Sequence, residues 1–189
     1  MLSSLLVGLV FVQMFSTMSL VITRGGYSES IYGLLISMNG AMIVLCELPI
    51  TTITKRLRPR PVMALGYLLV GAGFCSNMLP RNLPLLALST SMLTLGEMIA
   101  MPVAGAYVAD LAPADRRGLY MGTYGMIWAL AFVAGPSLGL MIYSWNPLWL
   151  WVICGLLGIA AASLISAGSR GAGAQALVRL TQRLSGIVR

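Results

Sequence analysis

Two carboxylates offer most of the chemistry in this sequence. Glu47 and Glu97 each lie inside a long apolar run, where an ionised acid costs about 2.5–3.5 kcal/mol at the centre of a membrane helix. Such groups face a bundle interior or a watery cavity. Glu47 shares a helical face with Asn39 and Ile43, and Glu97 continues a stripe through Thr90, Thr94 and Met101. The functional reading makes Glu97 and Glu47 proton-coupling groups beside a substrate path. The structural reading makes each a neutral, hydrogen-bonded side chain that locks helices together, or one that snorkels to the surface. Glu47 stands only on the order of 12 Å from Lys55 at ~1.5 Å per helical residue. Gln13 and Thr17, one turn apart, add a polar face in the first apolar run. With Asn39, Thr94, Met101, Tyr124 and Trp128 they are candidate cavity-lining residues, although core packing is the ordinary role of Tyr124 and Trp128.

Little else in the chain is reactive. Histidine is absent, which removes imidazole catalysis and histidine-ligated metals. Cys46, Cys75 and Cys154 are far apart and form no Cys-x-x-Cys pair, so neither a metal centre nor a disulfide framework is expected. No nucleophile–base constellation is visible, and the chain is read as a non-enzyme. No cofactor is implied; a proton gradient is the candidate energy source.

The elements that must position these residues follow from composition. Of the 189 residues, 58% are apolar and 9% charged, against ~45–50% and ~25% in soluble domains, and the mean hydropathy is +0.89. Soluble, disordered and nucleic-acid-binding classes are excluded at this step. Apolar stretches at about 2–23, 31–54, 62–79, 83–108, 119–143 and 148–167 each approach the roughly 20 residues a membrane helix needs. They show no period-2 alternation, so helices rather than a closed barrel are predicted. The fold class is all-α: a polytopic membrane protein of six transmembrane helices over 1–168, followed by a basic cytoplasmic tail, 169–189. The first run lacks a basic start and a good cleavage site, which favours a retained span over a signal peptide. In the tail, Leu177, Leu180 and Leu184 recur at helical spacing opposite Arg179 and Arg183, a pattern that suits an amphipathic helix on an anionic leaflet or a frayed, topology-enforcing end.

Orientation follows from the cations. With the amino terminus on side one, that side receives Lys55, Arg56, Arg58, Arg60, Arg116, Arg117, Arg170, Arg179, Arg183 and Arg189; the other receives Arg24 and Arg81. Side one is therefore predicted to be cytoplasmic, with both termini inside a cell (inner) membrane. The net charge of +7 is a topology signal, and no nucleic-acid partner is needed to explain it. Tyr143, Trp145, Trp149 and Trp151 read as an interfacial belt at the outer end of the last two spans.

Small residues give a second signal. The fifth span carries Gly118, Gly122 and Gly125, then Gly135-Pro136-x-x-Gly139. Glycines four apart allow close helix contact, and Pro136 removes one backbone hydrogen bond and bends the helix. Gly135, Pro136 and Gly139 are candidates for a pivot. Asp110, Arg116, Arg117, Lys55 and Arg56 are candidates for a charged gate at the inner mouth, Asp110 pairing with one of the neighbouring cations, and Asp115 can cap the fifth helix.

The stretch Ala109-Asp110-Leu-Ala-Pro113-Ala-Asp-Arg-Arg117-Gly118-Leu-Tyr-Met-Gly122, followed by Gly135-Pro136-Ser-Leu-Gly139, resembles the tenth-to-eleventh helix region of major facilitator superfamily transporters. The Gly-Pro-x-x-Gly element resembles that superfamily's antiporter signature, and the basic loop from Lys55 to Arg60 occupies the place of its cytoplasmic loop between helices eight and nine. The resemblance covers nearly the whole chain to about Ser169. It departs in lacking the loop motif's usual Gly and Asp and in having Ala131 where the signature often has glycine. It implies an MFS half-transporter bundle, the carboxyl-terminal six of twelve helices, most like multidrug/proton antiporters. A second six-helix half is then expected as a separate chain, a second copy or a missing amino-terminal part, with the lipid bilayer and a small-molecule substrate as the other partners.

Three functions follow as expectations. The leading one is transport of a small solute by alternating access, as proton-coupled efflux of drug-like compounds. The alternatives are a proton-independent metabolite facilitator and a non-transporting membrane subunit or truncated fragment.

Overall fold

The computed structural model describes residues 1–79 and 82–187, with side chains to residue 168. The side chains of the expected amphipathic tail and Arg81 lie outside the described residues. The helices, in order, are α1 (Leu2–Phe11), α2 (Thr17–Arg24), α3 (Glu29–Thr54), α4 (Pro59–Cys75), α5 (Leu83–Leu111), α6 (Arg117–Trp145) and α7 (Pro147–Ile187). Among the described residues, six segments are long and apolar enough to cross a membrane: Leu2–Arg24, Glu29–Thr54, Pro59–Met78, Leu83–Leu111, Ala114–Trp145 and Pro147–Gly168. They lie within a few residues of the expected stretches, and the bundle is all-α, as the sequence predicts.

Local chemistry sets the ends. Proline stands in the first turn of α4 and of α5, where its missing N–H is not needed. The Asn82 side chain caps α5 by accepting from the Leu85 N–H at 2.9 Å. Gly26, at φ 87°, closes the turn between α2 and α3 in a conformation that other residues rarely adopt. The prolines inside α3, α5 and α6 (Pro49, Pro102, Pro136) leave those helices continuous. The interruption falls instead in the first span, where residues Val12–Met14 form a 3₁₀ turn between α1 and α2. Its cause is local: the Ser16 hydroxyl donates to the Val12 carbonyl at 3.2 Å and the Thr17 hydroxyl to the Gln13 carbonyl at 3.2 Å, side-chain bonds that compete with the helical ladder.

α4 is the hub, packing on α1, α5 and α7, while α3 leans on α5 and α2, and α6 on α1, α2, α5 and α7. Burial is correspondingly uneven. In their most apolar stretches 61% of the first span and 56% of the third is buried, against 11% of the second and 17% of the fifth. The main core runs through Val7, Phe11, Tyr67, Phe74, Leu93 and Trp151, and a smaller one of Met18, Ile22, Leu35 and Leu86 joins α2, α3 and α5.

Close glycine contacts hold the hub, at positions other than those expected. A Cβ on Gly158 would stand 2.7 Å from the Gly71 Cα, and one on Gly96 would stand 2.6 Å from the Gly66 carbonyl oxygen. A Cβ on Gly118, Gly122 or Gly125 would meet nothing within 4 Å. The expected tight packing along that stripe is therefore absent from this bundle, because α6 turns those residues to open space. Gly158→Ala is expected to destabilise the protein by on the order of 1–3 kcal/mol through overpacking, whereas Gly122→Ala should change stability by less than ~0.5 kcal/mol. Thermal unfolding in detergent checks the pair; equal melting shifts would refute the assignment.

Candidate functional site

Glu97 is positioned by α5 and met by α3. Asn39, 9% exposed, donates through Nδ2 to the Thr94 hydroxyl oxygen at 2.9 Å and to Glu97 Oε2 at 3.2 Å. Thr94 is fully buried and passes its own proton to the Thr90 carbonyl at 2.7 Å, so both amide protons and the hydroxyl are used. Glu97 itself is half-buried. Glu47, half-buried on α3, lies within electrostatic reach of Glu97. The two spans thus bring an Asn, a Thr and one acid together between α3 and α5, with Glu47 two turns from Asn39 on α3 and Met101 half-buried one turn beyond Glu97. Asn39 and Thr94 face each other rather than an opening; in this bundle they orient the carboxylate.

Gln13 and Thr17 behave similarly. Gln13 is 3% exposed and donates to the Leu9 carbonyl at 3.0 Å and, across the bundle, to the Gly135 carbonyl at 2.9 Å. Its Oε1 accepts from the Ser16 and Thr17 hydroxyls at 3.3 and 3.1 Å. Both amide protons are therefore placed, and the amide oxygen shares the single proton of each hydroxyl with a backbone carbonyl. Gly139 makes the room: a Cβ there would collide with Gln13 Oε1, and one on Gly135 would stand 3.2 Å from Val12. The Gly135-Pro136-x-x-Gly139 element cradles the break in the first span, a relation with no signal in the sequence beyond the presence of both motifs.

Beside this knot lies a set of aromatic rings. Trp128 meets Phe11 edge-on at 6.0 Å and Tyr124 at 6.5 Å, and Phe132 stacks on Phe15 at 6.5 Å. Tyr124 and Trp128 are half-buried against the core, whereas Phe15 and Phe132 are each 49% exposed. Phe15 and Phe132 were not among the residues singled out in the sequence, although Phe132 continues the four-residue spacing of Tyr124 and Trp128, and Phe15 follows Phe11 by four. The outer aromatic group divides. Trp145 and Trp149 are exposed, but Trp151 is fully buried, stacked on Phe74 at 6.2 Å. Tyr143 is buried under the Arg24 guanidinium at 5.6 Å. The belt is thus only partly a belt, because two of its rings fill the core.

At the opposite end the expected charge pairing of Asp110 is not formed among the described residues. Arg117 Nε donates instead to the Ala109 carbonyl at 3.2 Å, closing the end of α5. Arg116 pairs with Asp115 at 3.4 Å in the open, so Asp115 does not cap α6, whose N-cap has no side-chain bond. Lys55, Arg56 and Asp110 are exposed. An exposed pair gains little against water and chain entropy, which is why backbone carbonyls and near neighbours win here.

Comparisons with known proteins agree with the architecture. The profile described as Major Facilitator Superfamily matches residues 1–175. The chain is 29% identical over 168 residues to the uncharacterized MFS-type transporter YdeE of Escherichia coli, covering 85% of this chain and 41% of that protein. It is 28% identical to multidrug resistance protein 3 of Bacillus subtilis, over 54% of this chain and 20% of that one. It is 26% identical to the efflux pump FUS6 of Gibberella fujikuroi, over 59% of this chain and 20% of that one. The chain spans less than half the length of these relatives.

Proposed function

Since the chain belongs to the Major Facilitator Superfamily, a family of transporters, we propose that it forms one six-helix half of a proton-coupled exporter of lipophilic, drug-like cations. The observation that carries this reading is the Asn39–Thr94–Glu97 cluster, an acid held between two membrane spans by neutral donors within reach of a second acid. No described cation pairs with Glu97, so the site has two states, protonated and ionised, that differ by a full charge inside the membrane. A proton drives transport when those states favour different openings of the path. The aromatic rings from Phe15 to Trp128 supply apolar area and π-faces suited to a lipophilic cation. Distant likeness to proteins named as an efflux pump and a multidrug resistance protein favours export.

The partner in this reading is a second six-helix half. Among the described residues α3 and α6 share no extensive packing, and both leave wide apolar surface uncovered, including Val44 at 80% and Val133 at 76% exposure. A second half covering part of these helices would close a path near the midplane. The Lys and Arg bias supports a cytoplasmic basic end and an inner-membrane location.

Reconstitution tests the assembly. The protein with its second half is expected to move a fluorescent lipophilic cation into liposomes at least about tenfold faster than this chain alone. Equal rates would refute the half-transporter reading, and rates at the protein-free background in both preparations would favour a non-transporting subunit.

A further inference from the structure

We propose that the basic end of the bundle is a binding site for an anionic phospholipid, whose phosphodiester sits on Arg60 and whose upper acyl chain enters the adjoining cavity. The inference does not depend on the transport reading. Arg60 lies in the first turn of α4, at headgroup depth for a span that begins there. Its Nε donates to the Tyr107 hydroxyl at 2.6 Å, and its guanidinium lies 5.6 Å from the centre of the same ring. Those two contacts fix the plane of the guanidinium. Its two terminal nitrogens have no partner among the described residues, and no described carboxylate pairs with it. A planar cation held at one edge and free at the other is built for two parallel bonds to a phosphate.

Tyr107 also lines a cavity of about 140 Å³ that opens at this end. Its wall has two characters. Ser3, Ser4 and Tyr120 bring hydroxyls, while Met63 and Ile165 are apolar. An amphiphile meets both needs in one molecule: phosphate at Arg60, glycerol and ester oxygens at the hydroxyls, methylenes against Met63 and Ile165. A soluble phosphate leaves the apolar wall unused, and a carboxylate from a protein partner leaves the cavity unfilled. Lys55, Arg56 and Arg58, all exposed on the same end, add attraction for an anionic leaflet.

The test uses the purified protein in nanodiscs of equal phosphatidylglycerol and phosphatidylcholine, with lipids retained after detergent extraction counted by native mass spectrometry. Wild type is expected to retain phosphatidylglycerol over phosphatidylcholine by about tenfold. Arg60→Gln and Tyr107→Phe should each cut that excess by about fivefold, and Arg24→Gln, which removes the cation over Tyr143 at the other end, should leave it unchanged. Tyr107→Phe deletes a single oxygen and keeps the test valid if the arginine variant fails to fold. Equal retention of the two lipids by wild type overturns the proposal, as does retention by both site variants at the wild-type level or an equal loss in Arg24→Gln. Displacement of the lipid by millimolar glycerol 3-phosphate would assign the site to a soluble phosphate and also overturn it.

Discussion

Glu97→Gln should abolish pH-driven accumulation of substrate while sparing exchange. One pH unit is worth about 1.4 kcal/mol per proton, so a one-for-one exchanger accumulates a monovalent cation by up to about tenfold in vesicles one unit more acidic inside. Glutamine cannot release a proton, yet its carbonyl still accepts the Asn39 amide, so the contact between α3 and α5 at 3.2 Å survives. The variant is therefore expected to fold, to equilibrate labelled against unlabelled substrate at rates within a few-fold of wild type, and to hold an accumulation ratio near one. Glu47→Gln in the same assay separates the two acids: among the described residues Glu47 has no hydrogen bond to orient it, and the larger loss belongs to Glu97. Wild-type accumulation by Glu97→Gln would remove Glu97 from the coupling mechanism.

The second large effect concerns the knot under the first-span break. Gly139→Ala puts a methyl where Gln13 Oε1 sits, and Gln13 must give up its bond to the Gly135 carbonyl and its place between the Ser16 and Thr17 hydroxyls. Buried polar groups left without partners cost about 1–3 kcal/mol each, so a loss of at least ~2 kcal/mol is expected. Gln13→Ala alone should cost less, since Thr17 keeps the Gln13 backbone carbonyl and Ser16 keeps that of Val12. In the double variant the new methyl on α6 occupies space that Gln13 has vacated. The cycle should then show a favourable coupling of at least ~1 kcal/mol, read from denaturant or thermal unfolding in detergent. Additive costs would mean that Gly139 does not make room for Gln13.

Much of this was legible in the sequence, for reasons that differ by residue. The spans could be read because length and hydropathy are imposed by the bilayer whatever the neighbours are. The face shared by Asn39 and Glu47, and the stripe through Thr94 and Glu97, followed from helical spacing; that these two faces meet did not, because spacing within one helix says nothing about its partner. The first-span break escaped notice since Gln13, Ser16 and Thr17 are each unremarkable in a helix, and only their joint back-bonding to the chain opens it. Glycine misled for the same reason. Gly118, Gly122 and Gly125 have the spacing of a packing stripe and face open space, whereas Gly71 and Gly158 touch with no stripe to announce them. Trp151 and Tyr143 show the limit of composition: an aromatic near a membrane boundary is placed by what packs against it, here Phe74 and Arg24.

In the proposed function this chain shapes half of a path whose direction is set by protons. Its most direct test is the wild-type protein with its second half in liposomes buffered one pH unit more acidic inside, held at zero membrane potential by equal potassium and valinomycin, with a lipophilic monocation measured on both sides with and without an uncoupler. The predicted result is a ratio rising toward ten and falling to one when the uncoupler is added. A ratio that stays at one throughout, or a flux that ignores the uncoupler, contradicts proton coupling and leaves a passive facilitator.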